Sequence, residues 1–549
     1  MSVSQHYNLK YISMICGVAA LGGLLFGYDT AVISGAINPI KHYFHLDSVG
    51  VGWAVSNVAI GCIIGAFASG SLAHKMGRKK ALVIAALLFT ISALGAALVD
   101  SFAWFIAYRM LGGLAVGLAS AISPMYMSEV SPKEIRGRAL SMQNFAIVGG
   151  QVVIFVVNFL IAQGASQQWL SSMGWRVMIG SEVIPCIAFC LFVLFIPESP
   201  RWLVAVNRQQ EAFTILEKIG GTHYAQQTLA NIEDSLVEDN QTKQKKSETK
   251  ELLHQRRFWL FAFLGCTVAC IQQASGVNVM MYFAPVVLEN VTGNTDVAMF
   301  LTIWIGVFQL IGTVIGSMLM DKIGRLPLLK LGSVGTVFGL LLTSYFMYYS
   351  HGLSGDAAIT SGYYTLMGML VFMLFFSLSW GLGAWIVISE IFPNRMRSVG
   401  MAFAISMMWI SNFIIGLVFP ILNENAWLTA HFHGTFPMWI FAGVMVLATL
   451  FIYRFLPETK GVQLENMEEH VVNYINSKSN TRSYEGKSKT RHEEKWHPSY
   501  SPGNRITQSH LVKGISHSST RNNRLDKNRL GTTRFAKNRF SRNRVTTGE

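Results

Sequence analysis

Charge is scarce in this chain. Asp, Glu, Lys and Arg make up 13% of its 549 residues and hydrophobic types 51%, against about a quarter charged in a soluble domain. That excludes an ordinary water-soluble enzyme or binding module and points to an integral membrane protein. Cysteine is scarce too. The six present all fall within apolar stretches. Cys186/Cys190 and Cys266/Cys270 are spaced by four, yet no His, Asp or Glu converges on them as a metal site would need. They read as small packing residues, and no metal is expected. No phosphate-cradling glycine loop and no nucleophile beside a base can be found, which argues against an ATP-driven pump, an enzyme or a cofactor site. The first apolar stretch begins near Lys10, contains a charge and lacks a small-residue cleavage site, so it is expected to stay in place.

What the chain does have is length in its apolar runs. Twelve stretches of roughly 18–25 residues can each cross a hydrocarbon core. They lie near 10–36, 51–73, 80–99, 102–126, 139–162, 175–196, 258–288, 297–320, 327–349, 363–389, 398–422 and 434–456. Alternate connections contain a single lysine, Lys41. The others carry Lys75, Arg78, Lys79, Lys80, Lys133, Arg136, Arg138, Lys322, Arg325, Lys330, Arg395 and Arg397, with nine more in the central loop. The positive-inside rule then predicts a multi-pass protein of the cytoplasmic (inner) membrane with both termini and the central loop in the cytoplasm.

Three short motifs of the first half return in the second. Ser128-Glu129-x-x-Pro132-x-x-x-Arg136 recurs 261 residues later as Ser389-Glu390-x-x-Pro393-x-x-x-Arg397. Lys75-x-Gly77-Arg78 becomes Lys322-x-Gly324-Arg325, and Pro197-Glu198-Ser199 becomes Pro457-Glu458-Thr459. Parallel repeats of this kind build a midplane substrate site in many secondary transporters. The predicted organisation is a six-helix bundle over 1–199, a cytoplasmic helical linker over 200–256, a second bundle over 257–456 and a cytoplasmic tail over 457–549. In the linker, Ala212, Ile215, Leu216 and Ile219 have helical spacing. The last fifty residues hold eleven Lys/Arg against two acids, a composition that cannot bury a core and predicts disorder. Contact of this basic tail with anionic lipid, or with nucleic acid, stands beside simple solvation.

Ionisable residues inside spans are costly and are functional candidates by default. Asp29 in span 1, Arg109 in span 4 and Glu182 in span 6 stand out. Asp29 and Arg109 can form a switch, in which an ionised Asp29 holds Arg109 and a protonated one releases it; a static buried salt bridge is the alternative. Span 7 carries Gln272, Gln273, Asn278 and Tyr282, with Gly276 inviting local unwinding. Asn144 and Gln151 share a face of span 5. Trp385 follows Gly381 and Gly383, which predicts a broken span 10. Amides beside an aromatic ring suit a neutral polyhydroxyl ligand, although amides also serve as interhelical glue. At the membrane exits, Glu129, Arg136, Glu198 and Arg78, with Glu390, Arg397, Glu458 and Arg325, are read as clips joining the two bundles, or simply as topology-setting charge.

Together these residues resemble the sugar porter family of the major facilitator superfamily. The carrying motifs are Gly22-Gly23-x-x-Phe26-Gly27-Tyr28-Asp29, Arg109-x-x-Gly112-Gly113, Pro124-x-Tyr126-x-Ser128-Glu129, Pro197-Glu198-Ser199-Pro200-Arg201-Trp202-Leu203, Gln272-Gln273 with Asn278, and Pro457-Glu458-Thr459-Lys460-Gly461. They extend from residue 9 to about 470. The resemblance implies an all-α fold of two pseudo-symmetric six-helix bundles and alternating-access import of a pentose or hexose. It implies that Asp29 couples protons, with Arg109 its partner and Glu182 the supporting acid. Gln272, Gln273, Asn278, Tyr282, Trp385 and Trp409 match sugar-contacting positions, with Phe26, Gln151 and Asn412 completing the set. Five positions depart from the pattern, among them Leu382, where a proline usually follows Trp380-Gly381, and His74, where the loop between spans 2 and 3 commonly has an acid. Asn144, with Gln143 beside it, replaces a glutamine; Gln309 replaces an asparagine; and Met408 replaces a polar contact. The sugar class survives these changes, but a particular sugar does not follow. A sugar, a proton and the bilayer are the partners implied, for a chain working as a monomer. An uncoupled facilitator and a membrane sugar sensor signalling through its tail are the competing readings.

Overall fold

The computed structural model describes residues 7–243, 254–393, 396–460, 462 and 467–474. The expectations for the basic tail beyond 474, and for Arg395 as a topology charge, lie outside the described residues. All regular structure among those residues is helical. Twelve helices are long and apolar enough to cross a membrane: Leu9–Tyr43, Ser48–Met76, Arg78–Leu98, Phe102–Val130, Arg136–Ala162, Gln167–Val193, Arg256–Tyr282, Thr295–Met320, Arg325–Ser350, Asp356–Ile391, Val399–Asn423 and Phe436–Phe455. We number them spans 1 to 12. Each coincides with one apolar run, and most begin or end a few residues outside it, because helices continue past the hydrocarbon into capped ends. Asp47 caps span 2 by accepting from the Gly50 amide at 2.8 Å, and Asn294 caps span 8 by accepting from Val297 at 3.1 Å.

The repeated Lys-x-Gly-Arg motif has a backbone cause. Gly77 separates spans 2 and 3 with φ of 90°, and Gly324 separates spans 8 and 9 with φ of 105°, a region that side chains disfavour. A Cβ on Gly77 would also meet a Glu198 carboxylate oxygen at 2.3 Å. The glycine therefore makes the turn and leaves room for the acid that follows from 120 residues away in sequence.

Spans 2 and 4 pack backbone to backbone. A Cβ on Gly113 would lie 2.1 Å from the Val58 carbonyl oxygen, and one on Gly61 would lie 2.1 Å from that of Met110. Small residues permit such approach where helices cannot rely on hydrophobic exclusion from lipid. Spans 1–6 and spans 7–12 form two halves within one compact unit.

The contacts between the halves are uneven. On the face poor in lysine and arginine, the Lys41 ammonium pairs with Glu424 at 2.6 Å and the Asn38 amide donates to Glu289 at 2.5 Å. Gln167 donates to Thr295 at 2.8 Å, and the Gly164 amide donates to Asp296 at 3.2 Å. These four bonds join the halves on one face. On the basic face the linker packs against the first half, where the Trp202 indole donates to the His74 carbonyl oxygen at 2.9 Å; Pro200–Ala205 and Gln209–Lys243 are helical and the second helix is broken at Gly221. Ala212, Leu216 and Ile219 are buried, as their spacing predicts. Tyr7 ties the start of the chain to this face: its hydroxyl donates to Glu134 at 2.9 Å and its ring meets Tyr224 edge-on. Burial, with Glu134 alongside, pushes the Tyr7 phenol up to about 12, so it stays a donor throughout the physiological range.

Candidate functional site

A cavity of about 430 Å³ lies between the halves. Span 7 reaches it through the predicted unwinding. The helix from Arg256 ends at Ala274, Gly276 takes a left-handed φ of 88°, and a new helix starts at Val277. The break turns amides toward one another. Gln273 donates to Gln272 at 2.9 Å, while the Gln273 carbonyl oxygen accepts from Asn278 and, at 3.2 Å, from Asn412 of span 11. Mutual bonding fixes their rotamers before any ligand arrives, which reduces the ordering cost of binding. Span 10 is interrupted by a π-helical turn over Ser377–Gly381, placed just before Trp385. Such single turns recur at functional positions in helices.

The cavity brings together Phe26, Asn144 and Gln151 from the first half with Gln272, Gln273, Asn278, Gln309 and Trp385 from the second. Four expected residues stand elsewhere. Trp409 lines an adjoining, largely apolar cavity of about 370 Å³ with Phe26 and Trp385. Met408 is one helical step round from Trp409 and is buried in packing, as is Tyr282. Asn412 sits behind Gln273, which it positions. Reading sequence alone misses Gln143, Ser120, Thr313 and Ser377, which also line the main cavity. Gln143 had a usable signal, since it is eight residues from Gln151 on a helix already assigned to the site. Ser377 had none, because the π turn that re-aims it is a tertiary effect.

Among the described residues, no charged side chain lines this cavity. A neutral ligand rich in hydroxyls matches it, since each amide offers a donor and an acceptor and the Trp385 ring offers an apolar face. Replacing Gln272 by Ala leaves a buried Gln273 donor without its acceptor. The expected loss of ligand affinity is about 1–3 kcal/mol, and titration calorimetry checks it.

The three intramembrane ionisable residues form one cluster behind the cavity. Arg109 donates to the Asp29 carboxylate at 2.8 Å and to the Asp29 carbonyl oxygen at 3.2 Å, and each residue is 1% exposed. Gly112 makes room, since a Cβ there would meet Asp29 at 3.1 Å. Glu182 is buried next to Asp29, in a turn between two helical pieces of span 6. The Tyr28 and Ser181 hydroxyls are bonded at 2.8 Å and tie spans 1 and 6 at that level. One guanidinium faces two carboxyls, so the cluster is neutral only with one proton bound. Unpaired net charge in such a site is costly.

The membrane-exit charges correct one expectation. Arg78 pairs with Glu129 through two bonds of 2.7 and 2.8 Å, and Glu198 accepts from the Arg78 amide at 2.8 Å. Arg325 pairs with Glu390 at 3.0 and 3.3 Å, and Glu458 accepts from the Arg325 amide at 3.1 Å. Each group therefore lies within one half and does not clip the halves together. The physical reason is the glycine turn, which places the arginine over its own bundle, where Glu198 and Glu458 meet the amides opening spans 3 and 9. Arg136 begins span 5 and Arg397 begins the helix that contains span 11, with Arg136 exposed and Arg397 half-buried.

The profile of the family described as "Sugar (and other) transporter" matches residues 15–471. The chain belongs to that family. This sugar transporter is 38% identical to the D-xylose-proton symporter of Escherichia coli over 498 residues, which cover 85% of this chain and 97% of that one. It is 33% identical to the arabinose-proton symporter of Bacillus subtilis, over 85% of this chain and 96% of the other. Its structure matches a partially occluded inward-open conformation of the xylose transporter of E. coli with a TM-score of 0.71 at 35% identity, covering 83% of this chain and 100% of that one. The sugar transporter is thus an all-α, multi-pass membrane protein with the major facilitator arrangement of two six-helix halves.

Proposed function

We propose that the chain carries a monosaccharide, a pentose or hexose, into the cell together with a proton. The observation that carries this reading is a neutral cavity lined by amides and tryptophan, set between the halves and backed by the Asp29–Arg109–Glu182 cluster. The names of the two relatives, a D-xylose-proton and an arabinose-proton symporter, support both the sugar class and the coupling. Gln272, Gln273, Asn278, Gln151, Asn144, Gln309 and Trp385 hold the sugar, with Phe26 and Trp409 closing the path to the basic face. Asn412 supports Gln273. Residues 1–199 and 257–456 move as the two bundles, 200–256 is a cytoplasmic linker and 457–549 a cytoplasmic tail.

The basic face is then the cytoplasmic side of the inner membrane, and both termini lie there. With Asp29 ionised, Arg109 joins spans 1 and 4. Protonation from outside frees Arg109 toward Glu182 and lets the loaded carrier turn inward, where the proton leaves. Within each half, the Arg78–Glu129–Glu198 and Arg325–Glu390–Glu458 groups keep the helix ends together while the halves rock. The chain acts as a monomer.

Uptake of a panel of labelled sugars into proteoliposomes, with and without an imposed proton gradient, tests the proposal. Accumulation of one sugar above its external concentration, dependent on the gradient, is the expected result. Equilibration unaffected by the gradient would make the protein a facilitator, and sugar binding without uptake would make it a sensor. Removal of residues 480–549 is expected to leave the initial uptake rate within about twofold of wild type, because the family match ends at residue 471. The same proteoliposome assay measures it.

A further inference from the structure

Four groups around the main cavity hold polar atoms with no hydrogen-bond partner among the described residues: both amide atoms of Gln143, the carbonyl oxygens of Gln151 and Gln309, and the Ser377 hydroxyl. Gln143 is 5% exposed and Ser377 2%. A buried amide or hydroxyl left unpaired is destabilising, and four around one cavity, two from each half, share a single remedy. A ligand carrying several hydroxyls pairs them all, donating to the carbonyl oxygens and accepting from the Gln143 amino group and the Ser377 hydroxyl.

Gln151 and Gln309 already belong to the site that the family resemblance implies. Gln143 and Ser377 do not. We infer that Gln143 and Ser377 are sugar contacts, one from each half, and that they set which sugar is preferred. The inference rests on the transport reading above.

Two further observations separate these residues from ordinary packing. Each lies on a glycine of a neighbouring span in its own half. A Cβ on Gly23 of span 1 would sit 2.8 Å from the Gln143 amide carbon, and one on Gly312 of span 8 would sit 2.9 Å from the Ser377 Cβ. The glycines leave space for the polar side chains to turn between the span and the cavity. The second observation concerns backbone. Helical serines and threonines here commonly donate to a carbonyl one turn back, as Ser379 does to Phe375 at 2.6 Å and Thr313 to Gln309 at 2.8 Å. Ser377 opens the π-helical turn and makes no such bond among the described residues. Its hydroxyl is kept available. Beside Gln143, the side chain of Asn144 is one methylene shorter than the glutamine it replaces, so Gln143 restores the reach lost there.

The test is calorimetric binding of a pentose and hexose panel to the purified full-length chain, with the melting temperature of the ligand-free protein measured alongside. Gln143→Met keeps the volume and removes both unpaired atoms. The expected result is a ligand-free melting temperature equal to or above wild type, a loss of at least tenfold in affinity for the preferred sugar, and a narrowed ranking across the panel. Ser377→Ala is expected to weaken the same sugar by about tenfold. Unchanged affinity and ranking in both variants overturn the inference. So does an affinity loss in Gln143→Met and Gln143→Ala that comes only with a lowered ligand-free melting temperature, since that marks a packing role. Wild-type protein that binds no sugar removes the transport reading, and this inference with it.

Discussion

Protein with Asp29→Asn is expected to bind sugar with near-wild-type affinity and to accumulate none of it. Asparagine keeps the shape of the protonated carboxyl and removes its titration, so Arg109 loses the carboxylate that joins it to span 1 and keeps only the backbone carbonyl there, with Glu182 as the remaining acid of the cluster. The variant lies behind the cavity and not in its lining, which is why binding is spared. What is lost is large. A membrane potential adds roughly 2.3 kcal/mol per charge per 100 mV, equivalent to about a fifty-fold concentration ratio. The accumulation ratio in proteoliposomes under such a potential is expected to fall to one, while exchange of labelled for internal unlabelled sugar persists. An Asp29→Asn protein that still concentrates sugar would place coupling elsewhere.

Gly113→Val is expected to abolish the folded protein. Overpacking a core typically costs about 1–3 kcal/mol because side chains can shift. At Gly113 the obstacle is the Val58 carbonyl oxygen, 2.1 Å from where a Cβ would stand, and backbone at the centre of a span cannot step aside without separating spans 2 and 4. No monodisperse peak should survive detergent extraction and size-exclusion chromatography at room temperature. Gly149→Ala is the control. A Cβ there meets nothing within 4 Å, and alanine favours helix over glycine by roughly 0.5–1 kcal/mol, so that variant is expected to elute as wild type.

The difference between those two glycines was not legible in the sequence, where both are small residues in apolar runs. What was legible depends on local chemistry. The spans follow from run length, the break in span 7 from Gly276 among amides, and the linker helix from the spacing of Ala212, Leu216 and Ile219. The Asp29–Arg109 pair follows from the cost of burying either charge alone. Motif chemistry misled where partner choice depends on tertiary placement. Glu129 and Arg78 belong together, as their charges suggest, yet they hold one half and not two. Met408 and Trp409 are adjacent in sequence, and only the rotation of span 11 decides that the tryptophan alone reaches a cavity. Gln143 and Ser377 needed coordinates for a further reason. An unpaired polar atom is a property of what surrounds it.

The few polar bonds joining the halves on the lysine-poor face have a consequence for how the carrier responds to its medium. Lys41 and Glu424 keep about a third of their side-chain surface in water, 33% and 37%, and exposed pairs contribute roughly 0–1 kcal/mol. The part that this ion pair plays in holding that face closed is therefore one that dissolved ions can erase, since the screening length shortens from about 10 Å at 0.1 M to about 3 Å at 1 M. In the proposed orientation that face is the outer one, so raising external ionic strength is expected to remove this ion pair's share of the closed state and leave the packing of Gly52 on Leu417 and of Trp53 on Phe413 to hold it.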